Sequence, residues 1–269
     1  MTRLETAFRE LEKARKKALV VYLCVGDPSV EESIALALAC LRAGADILEL
    51  GAPFSDPTAD GPSIARASQR AITRGGGLGA TLGAARAIRQ ECDAPIVLFG
   101  YYNPIYVRGE ARSAREAAEA GVDALLVVDL PLDEGEVLRA RARALDLHVV
   151  PLATPTSSPD RLKRLKTSLA ATPAGFLYYV SVTGVTGAQA APLDEASARA
   201  GRLRADLGLP VVVGFGIDSP EKARQAATFV DGVVVGTAIV NAIDAGTSPA
   251  DRTARVAGLV RSLRRALDT

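Results

Sequence analysis

Short apolar runs rich in β-branched residues alternate with longer segments in which Ala, Leu and Arg recur at helical spacing, along the whole chain. Continuous apolar runs such as Val211-Val212-Val213 are typical of parallel strands that helices cover on both faces. The predicted strands are residues 19–24, 46–50, 95–99, 124–128, 147–152, 175–180, 210–213 and 232–235. Strands of this kind with helices between them predict an α/β fold, a closed (β/α)8 TIM barrel.

A short repeat supports the barrel. Small or turn-forming residues, glycine among them, stand before three of the predicted strands, and their aspartates are Asp46, Asp123 and Asp231. Glycine suits the left-handed cap that ends a helix. Since catalysis in such barrels takes place at the opposite, C-terminal ends of the strands, we expect these aspartates to be structural. A doubly wound open sheet is the alternative fold, but residues 26–28 (Gly-Asp-Pro) stand where that fold carries its glycine-rich dinucleotide motif.

The N-terminal segment, residues 1–17, predicts an amphipathic helix in addition to the barrel, with Leu4, Phe8 and Leu11 on its apolar face. Its charged residues do not fit a signal peptide, and no apolar run approaches a membrane span. A cytoplasmic protein is therefore expected. No linker or shift of composition divides the chain, so we expect residues 1–269 to form a single domain.

Composition limits the chemistry. The chain has 32 basic and 31 acidic residues, a formal net charge of +1, which argues against a dedicated nucleic-acid binder. Its three cysteines are far apart, so buried reduced thiols are expected. His148 is the single histidine, which leaves little material for a metal site or a Ser/His/Asp triad. We expect His148 to be a partly exposed structural residue near the bottom of the barrel, and we expect no metal.

Glu49 interrupts the apolar second strand near its C-terminal end. If Leu48 and Leu50 pack outward, the period of two directs Glu49 into the barrel, where burial favours its protonated form. For a lone acidic residue in a strand, pairing with a neighbouring arginine is the simpler interpretation, but the position of Glu49 beside a polar, turn-rich loop favours a functional carboxyl group. The loop that follows contains Asp56 and Asp60, which turns and helix caps alone could explain.

Glycines follow the seventh and eighth predicted strands, in Gly214-Phe215-Gly216 and Gly236-Thr237. Barrels of this class commonly bind phosphate with these two loops and with a helix N-terminus, whose unpaired N–H groups favour an anion. Tight turns would explain either glycine pair alone. The two together predict a phosphate site built from backbone N–H groups.

The segment 48–62, Leu-Glu-Leu-Gly-Ala-Pro-Phe-Ser-Asp-Pro-Thr-Ala-Asp-Gly-Pro, resembles the signature of the tryptophan synthase alpha subunit family. The resemblance covers essentially the whole chain and includes Tyr178 and residues 26–28, 101–104, 184–187, 214–217 and 236–239, in that family's order. It implies a (β/α)8 lyase that cleaves indole-3-glycerol phosphate into indole and glyceraldehyde 3-phosphate by a retro-aldol reaction.

The same resemblance implies roles for individual residues. Glu49 would transfer protons at the indole carbon and the side-chain hydroxyl, and Asp60 would accept a hydrogen bond from the indole N–H. Residues 182–191 would form a lid, with Thr186 against Asp60. The implied substrate-binding residues are Tyr22, Phe99, Tyr178, Thr186 and Phe215. The implied phosphate-binding residues are Gly187, Gly214, Gly216, Gly236 and Thr237.

The chain carries no cofactor signature of its own. By resemblance, it acts in an α2β2 complex with a beta subunit that uses pyridoxal phosphate, and residues 53–58 and 101–109 would face that partner. A stand-alone lyase, a non-catalytic activator of the partner and another sugar-phosphate enzyme on the same barrel are the alternatives. A Schiff-base aldolase is not expected, because none of the six lysines stands at a strand end that faces the pocket.

Overall fold

The computed structural model describes residues 1–171, 175–180, 193–214 and 216–269. Strands and helices alternate within them. The strands are β1 (Ala18–Cys24), β2 (Ile47–Gly51), β3 (Ile96–Gly100), β4 (Ala124–Val127), β5 (His148–Val149), β6 (Leu152–Ala153), β7 (Leu177–Val180), β8 (Val211–Gly214) and β9 (Gly232–Val235). The helices are α1 (Arg3–Lys13), α2 (Val30–Arg42), α3 (Pro62–Thr73), α4 (Leu78–Glu91), α5 (Tyr102–Arg108), α6 (Glu110–Glu119), α7 (Glu136–Arg143), α8 (Pro159–Ala171), α9 (Leu193–Leu207), α10 (Pro220–Ala226), α11 (Thr237–Asp244) and α12 (Pro249–Leu267).

The strands form one parallel sheet in the order β5-β4-β3-β2-β1-β9-β8-β7-β6. Its two end strands, β5 and β6, are consecutive in the chain. Between them, the Val150 N–H donates to the Leu125 carbonyl of β4 at 2.8 Å, and the Pro151 carbonyl accepts from the Tyr178 N–H of β7 at 3.0 Å. This segment therefore links both ends of the sheet, and the predicted barrel fold is confirmed. The predicted strand 147–152 is two short strands instead, since Pro151 has no N–H to donate.

Side chains alternate between the barrel interior and the helices. On β2, Ile47 belongs to the inner apolar cluster, whereas Leu48 and Leu50 belong to the outer cluster with residues of the surrounding helices. At the bottom, α1 packs Leu4 and Phe8 into the inner cluster. This confirms the predicted N-terminal amphipathic helix, although it ends at Lys13.

The repeated aspartates join neighbouring strands at the bottom of the barrel. The carboxylates of Asp46, Asp123 and Asp231 accept from the backbone N–H groups of the adjacent strands, at 2.7, 2.8 and 2.9 Å. Each also pairs with an arginine, and these partners are Arg264, Arg89 and Arg204. The prediction that these residues are structural is confirmed.

His148 is not partly exposed, as expected from the sequence, but buried, with 3% of its surface accessible. The prediction was wrong because α1 covers this position, and the Thr2 hydroxyl lies 2.9 Å from His148 Nε2. Cys24 and Cys40 are buried as predicted, which raises the pKa of each thiol to about 12, whereas Cys92 is half-buried.

Two features are absent from the described part of the chain. None of its helices has the length and apolar character needed to cross a membrane. No group of three or more His, Cys, Asp or Glu side chains within it is arranged to hold a metal ion.

Candidate active site

Glu49 lies on β2 between the outward-facing Leu48 and Leu50, and only 1% of its surface is exposed. No described atom makes a hydrogen bond to its Oε2. Burial, and secondly the charge of Asp60, raise the pKa of Glu49 to about 8. The alternative of an arginine pair is wrong, because no ion pair to Glu49 exists among the described residues. A carboxyl group in these surroundings is protonated at neutral pH and can donate a proton.

Tyr22 and Phe99 lie beside Glu49. Tyr22 is the register partner of Glu49 on β1, and Phe99 stands opposite Gly51 on β3. The two aromatic rings meet edge to face, with centroids 5.3 Å apart and planes at 81°. The Tyr22 hydroxyl lies over Gly51, where any side chain would overlap it. These rings give Glu49 an apolar wall that suits a planar aromatic substrate.

Asp60 ends the loop after β2, immediately before Gly61 and α3. Burial raises the pKa of Asp60 to about 6, and a hydrogen bond from the Tyr101 hydroxyl opposes that rise. The same hydroxyl accepts the Ala59 N–H at 3.0 Å. Tyr101 therefore fixes both the backbone and the carboxylate at the end of this loop.

Tyr178 on β7 enters the same space from the far side of the barrel and is 5% exposed. Burial raises the pKa of Tyr178 well above its usual value, and the charges of Glu49 and Asp60 add to the rise. Its hydroxyl lies against Gly214 at the end of β8, where an added methyl group would overlap it. Tyr178 thus spans the distance from the carboxyl groups to the glycine loop.

The glycines after β8 and β9 have the features that an anion site requires. Gly216 has φ +73°, a left-handed conformation, and no atom of the described residues lies where its side chain would stand. Gly236 precedes α11, which begins at Thr237 without a side-chain cap. A Cβ on Gly236 would stand 3.4 Å from Tyr22 Cβ, so this helix N-terminus adjoins the pocket. Uncapped N–H groups at such an end favour an anion.

A cavity of about 930 Å³ opens at this end of the barrel. Asp60, Phe99 and Tyr178 line it. The cavity extends beyond the residues singled out from the sequence, past the end of β4, along the β5–β6 segment and against α8. Its walls there include Val128, Asp129, Val150, Leu152, Leu162 and Leu165. The mixture of apolar walls with a few polar groups is typical of a small-molecule site.

Three residues named from the sequence lie outside the described residues: Thr186, Gly187 and Phe215. The same holds for the expected lid, residues 182–191. Sequence reasoning named Tyr101 only within the motif 101–104 and the expected partner face 101–109, and it missed the contact of Tyr101 with the Asp60 loop, which depends on the fold. The pair Tyr101-Tyr102 after a strand was the available signal.

Known proteins similar in sequence to this chain share one family. The family model of the tryptophan synthase alpha chain matches residues 8–268. The tryptophan synthase alpha chain of Citrifermentans bemidjiense is 48% identical over 240 residues, which cover 89% of this chain and 88% of that protein. The corresponding chain of Geobacter sulfurreducens is 45% identical over 267 residues, 99% of each protein.

Solved structures of tryptophan synthase alpha chains also resemble this chain. Tryptophan synthase subunit alpha from Legionella pneumophila superposes with a TM-score of 0.89 at 36% identity, covering 100% of this chain and 99% of that one. A chain of the aminoacrylate-bound form of tryptophan synthase from M. tuberculosis gives 0.87 at 33% identity, with 99% and 100% covered. The family model, the sequence identity over nearly the full length and the shared fold agree, and this chain belongs to the tryptophan synthase alpha chain family.

Proposed function

We propose that Glu49 and Asp60 carry out the reaction of this family, the cleavage of indole-3-glycerol phosphate into indole and glyceraldehyde 3-phosphate. The protein is thus a carbon–carbon lyase. One observation supports the residue roles above all: two carboxyl groups lie close enough for the charge of Asp60 to raise the pKa of Glu49, and their pKa values are about 8 and about 6. Separate pKa values allow one group to be an acid while the other is ionised.

Glu49 both donates and accepts a proton during the reaction, so it ends in the state in which it began. Its carboxyl group donates a proton to the indole carbon that bears the side chain, and the resulting cation is stabilised by Asp60, which accepts a hydrogen bond from the indole N–H. Glu49, now ionised, removes the proton of the adjacent side-chain hydroxyl. The carbon–carbon bond then breaks, its electron pair returns to the indole ring, and the former hydroxyl carbon becomes the aldehyde. Glu49 ends protonated, ready for another cycle.

The phosphate group determines which way the substrate lies. We assign its binding to the backbone around Gly214 and Gly216 and to the α11 N-terminus at Gly236 and Thr237. Tyr22, Phe99 and Tyr178 would then contact the indole and the glycerol chain between phosphate and carboxyl groups. Thr186, Gly187 and Phe215 belong to the same assignment on the strength of the sequence resemblance alone.

Members of this family pair with a beta subunit, and we assign the docking face to residues 53–58 and 101–109. The Phe54 ring lies 5.2 Å from the Tyr101 ring. On α5, Tyr106 and Val107 are 66% and 78% exposed. Large apolar side chains exposed beside a pocket mark an interaction surface. Indole leaving the pocket here would reach the partner, whose pyridoxal phosphate would supply the chemistry of the next step.

Indole release from indole-3-glycerol phosphate tests the proposal, with the chain alone and with a beta subunit from a relative. The wild-type chain should release indole. Glu49→Gln should lower the rate of release at least about a hundredfold. Glu119→Gln, the same change on the exposed face of α6, is the matched control and should retain the rate. No indole under either condition would refute the lyase proposal and leave an activator of the partner. Equal rates with and without the partner would favour a stand-alone lyase.

A further inference from the structure

The guanidinium of Arg70 on α3 binds two carboxylates from different elements. Its Nε and Nη2 donate to the two carboxylate oxygens of Asp27, at 2.9 and 2.7 Å. This is the bidentate geometry for which arginine is suited. Its Nη1 lies 3.2 Å from a carboxylate oxygen of Asp244, the last residue of α11. One side chain thus connects α3, α11 and the turn after β1.

Both helices lead into the site. α3 begins at Pro62, two residues after Asp60, and Arg70 lies about two turns further along it. α11 begins at Thr237, where we have assigned phosphate binding. The inference below rests on the proposed function, since it needs Asp60 and Thr237 to be site residues.

Asp27, the carboxylate that binds Arg70 through two hydrogen bonds, is buried. Asp27 is 5% exposed, so its carboxylate depends on protein donors. Arg74, one turn after Arg70, adds a second link from α3 to the same turn, because its Nη1 donates to the Pro28 carbonyl at 2.9 Å and lies 3.7 Å from Asp27. α3 is therefore held to the β1 turn at its C-terminal half.

Small residues bring α3 close to the substrate pocket. Ala67 and Ala71 are fully buried in one apolar cluster with Tyr22 and with Val240 of α11, and Phe99 packs against this cluster. Close packing of this kind transmits small displacements. A shift of α3 against α11 would alter the aromatic wall of the pocket together with the position of Asp60.

We propose that Arg70 is a positioning residue for the cleavage reaction, coupling phosphate binding at the α11 N-terminus to the placement of Asp60. A phosphate held at Thr237 fixes α11, Asp244 and Arg70 transmit that position to α3, and α3 sets the carboxylate that accepts the indole N–H. Binding energy from the phosphate is then used at the reacting end of the substrate.

The test measures coupling between two parts of the substrate. Indole affinity is determined with and without saturating glycerol 3-phosphate, and kcat and KM are determined for indole-3-glycerol phosphate. In the wild-type protein, glycerol 3-phosphate should tighten indole binding about fivefold or more. Asp244→Ala and Arg70→Met should bring this ratio to about one, and Arg70→Met should lower kcat about tenfold or more. Arg66→Met, on the exposed face of α3, is the control and should retain the wild-type ratio.

Asp244→Ala carries the test even if Arg70→Met does not fold, since the Asp244 side chain is 55% exposed and no buried charge loses its partner. A wild-type ratio of one, or an unchanged ratio in Asp244→Ala, would overturn the coupling. Lowered thermal stability with unchanged coupling would give Arg70 a structural role only. Failure of the wild-type protein to cleave the substrate would refute the proposed function instead, and the two failures are therefore distinguishable.

Discussion

The charge of Asp60 adds to burial in raising the pKa of Glu49 to about 8, whereas the pKa of Asp60 itself is raised to about 6, mainly by burial. At a pH between about 6 and about 8, Glu49 is therefore mostly protonated and Asp60 is mostly ionised. That protonation state is the one the proposed reaction requires at its start, since Glu49 donates a proton while Asp60 accepts a hydrogen bond.

The pH dependence of the reaction follows from this pair. We expect kcat/KM for indole release to rise through a pH near 6, as Asp60 ionises, and to fall through a pH near 8, as Glu49 loses its proton. Steady-state rates from about pH 5 to about pH 9 would measure both limbs. A profile without an alkaline limb would contradict the role of Glu49 as the acid.

Asp60→Asn should change both limbs of that profile. The acid limb near pH 6 should disappear with the carboxyl group that produces it. The alkaline limb should move to lower pH, because the charge that helps to raise the pKa of Glu49 is gone. An alkaline limb that stays in place would show that the two carboxyl groups do not interact.

Glu49 should also make stability depend on pH. The ordinary pKa of a glutamate is 4.5 and that of Glu49 in the folded chain is about 8, so between these values only the folded state retains the proton. The free energy of unfolding should therefore be highest below this window and should fall as pH rises through it. Denaturant titrations at about pH 5 and about pH 8 should show Glu49→Gln gaining stability relative to the wild-type protein at the higher pH. A difference independent of pH would contradict the raised pKa.

Elements defined by local pattern could be predicted from the sequence. The run Val211-Val212-Val213 is a strand, as its β-branched residues favour, and Asp231 is structural at the start of the next strand, where its carboxylate accepts from the Val211 N–H. Long-range contacts were beyond reach. His148 is buried because the N-terminal segment with Thr2, 146 positions away, covers it. Pro151, by contrast, is a local signal, since its missing N–H divides the predicted strand into two.

The residues of the candidate site also divide into those that a local sequence pattern reveals and those that depend on long-range contacts. Glu49 could be singled out, since a carboxylate in an apolar strand is conspicuous and the period of two gives its direction. Tyr101 and Arg70 could not, because each acts on a group more than forty positions away in the chain. Arg70 has no neighbour in sequence that would distinguish it from another helix arginine, and the pair Tyr101-Tyr102 after a strand does not reveal the contact with the Asp60 loop.

Tyr101→Phe tests the residue that holds the Asp60 loop. Loss of the hydroxyl removes the hydrogen bond that opposes the rise in the pKa of Asp60, so the acid limb of the pH profile should move to higher pH. The Ala59 N–H also loses its acceptor, and we expect kcat to fall about tenfold. Tyr102→Phe is the matched control, since its hydroxyl donates to Glu110 outside the pocket. Without the beta subunit, this control should retain the wild-type profile, and equal effects of both changes would exclude a specific role for Tyr101.

A comparison of alanine variants at Gly216 and Gly208 distinguishes an effect on phosphate binding from an effect of backbone strain. Both glycines have left-handed backbones, φ +73° and +66°, and they flank β8 at its opposite ends. Within the described part of the chain, no atom lies where a methyl group on either would stand. Alanine at either position should cost about 1–2 kcal/mol of backbone strain. Only Gly216→Ala should also weaken glycerol 3-phosphate binding, because a shifted backbone after β8 misdirects the N–H groups that bind the anion, while indole affinity without phosphate stays near that of the wild-type protein. Calorimetric titration with each ligand, beside thermal unfolding of both variants, makes the comparison. Equal phosphate-ligand affinities in the two variants would show that the anion binds elsewhere.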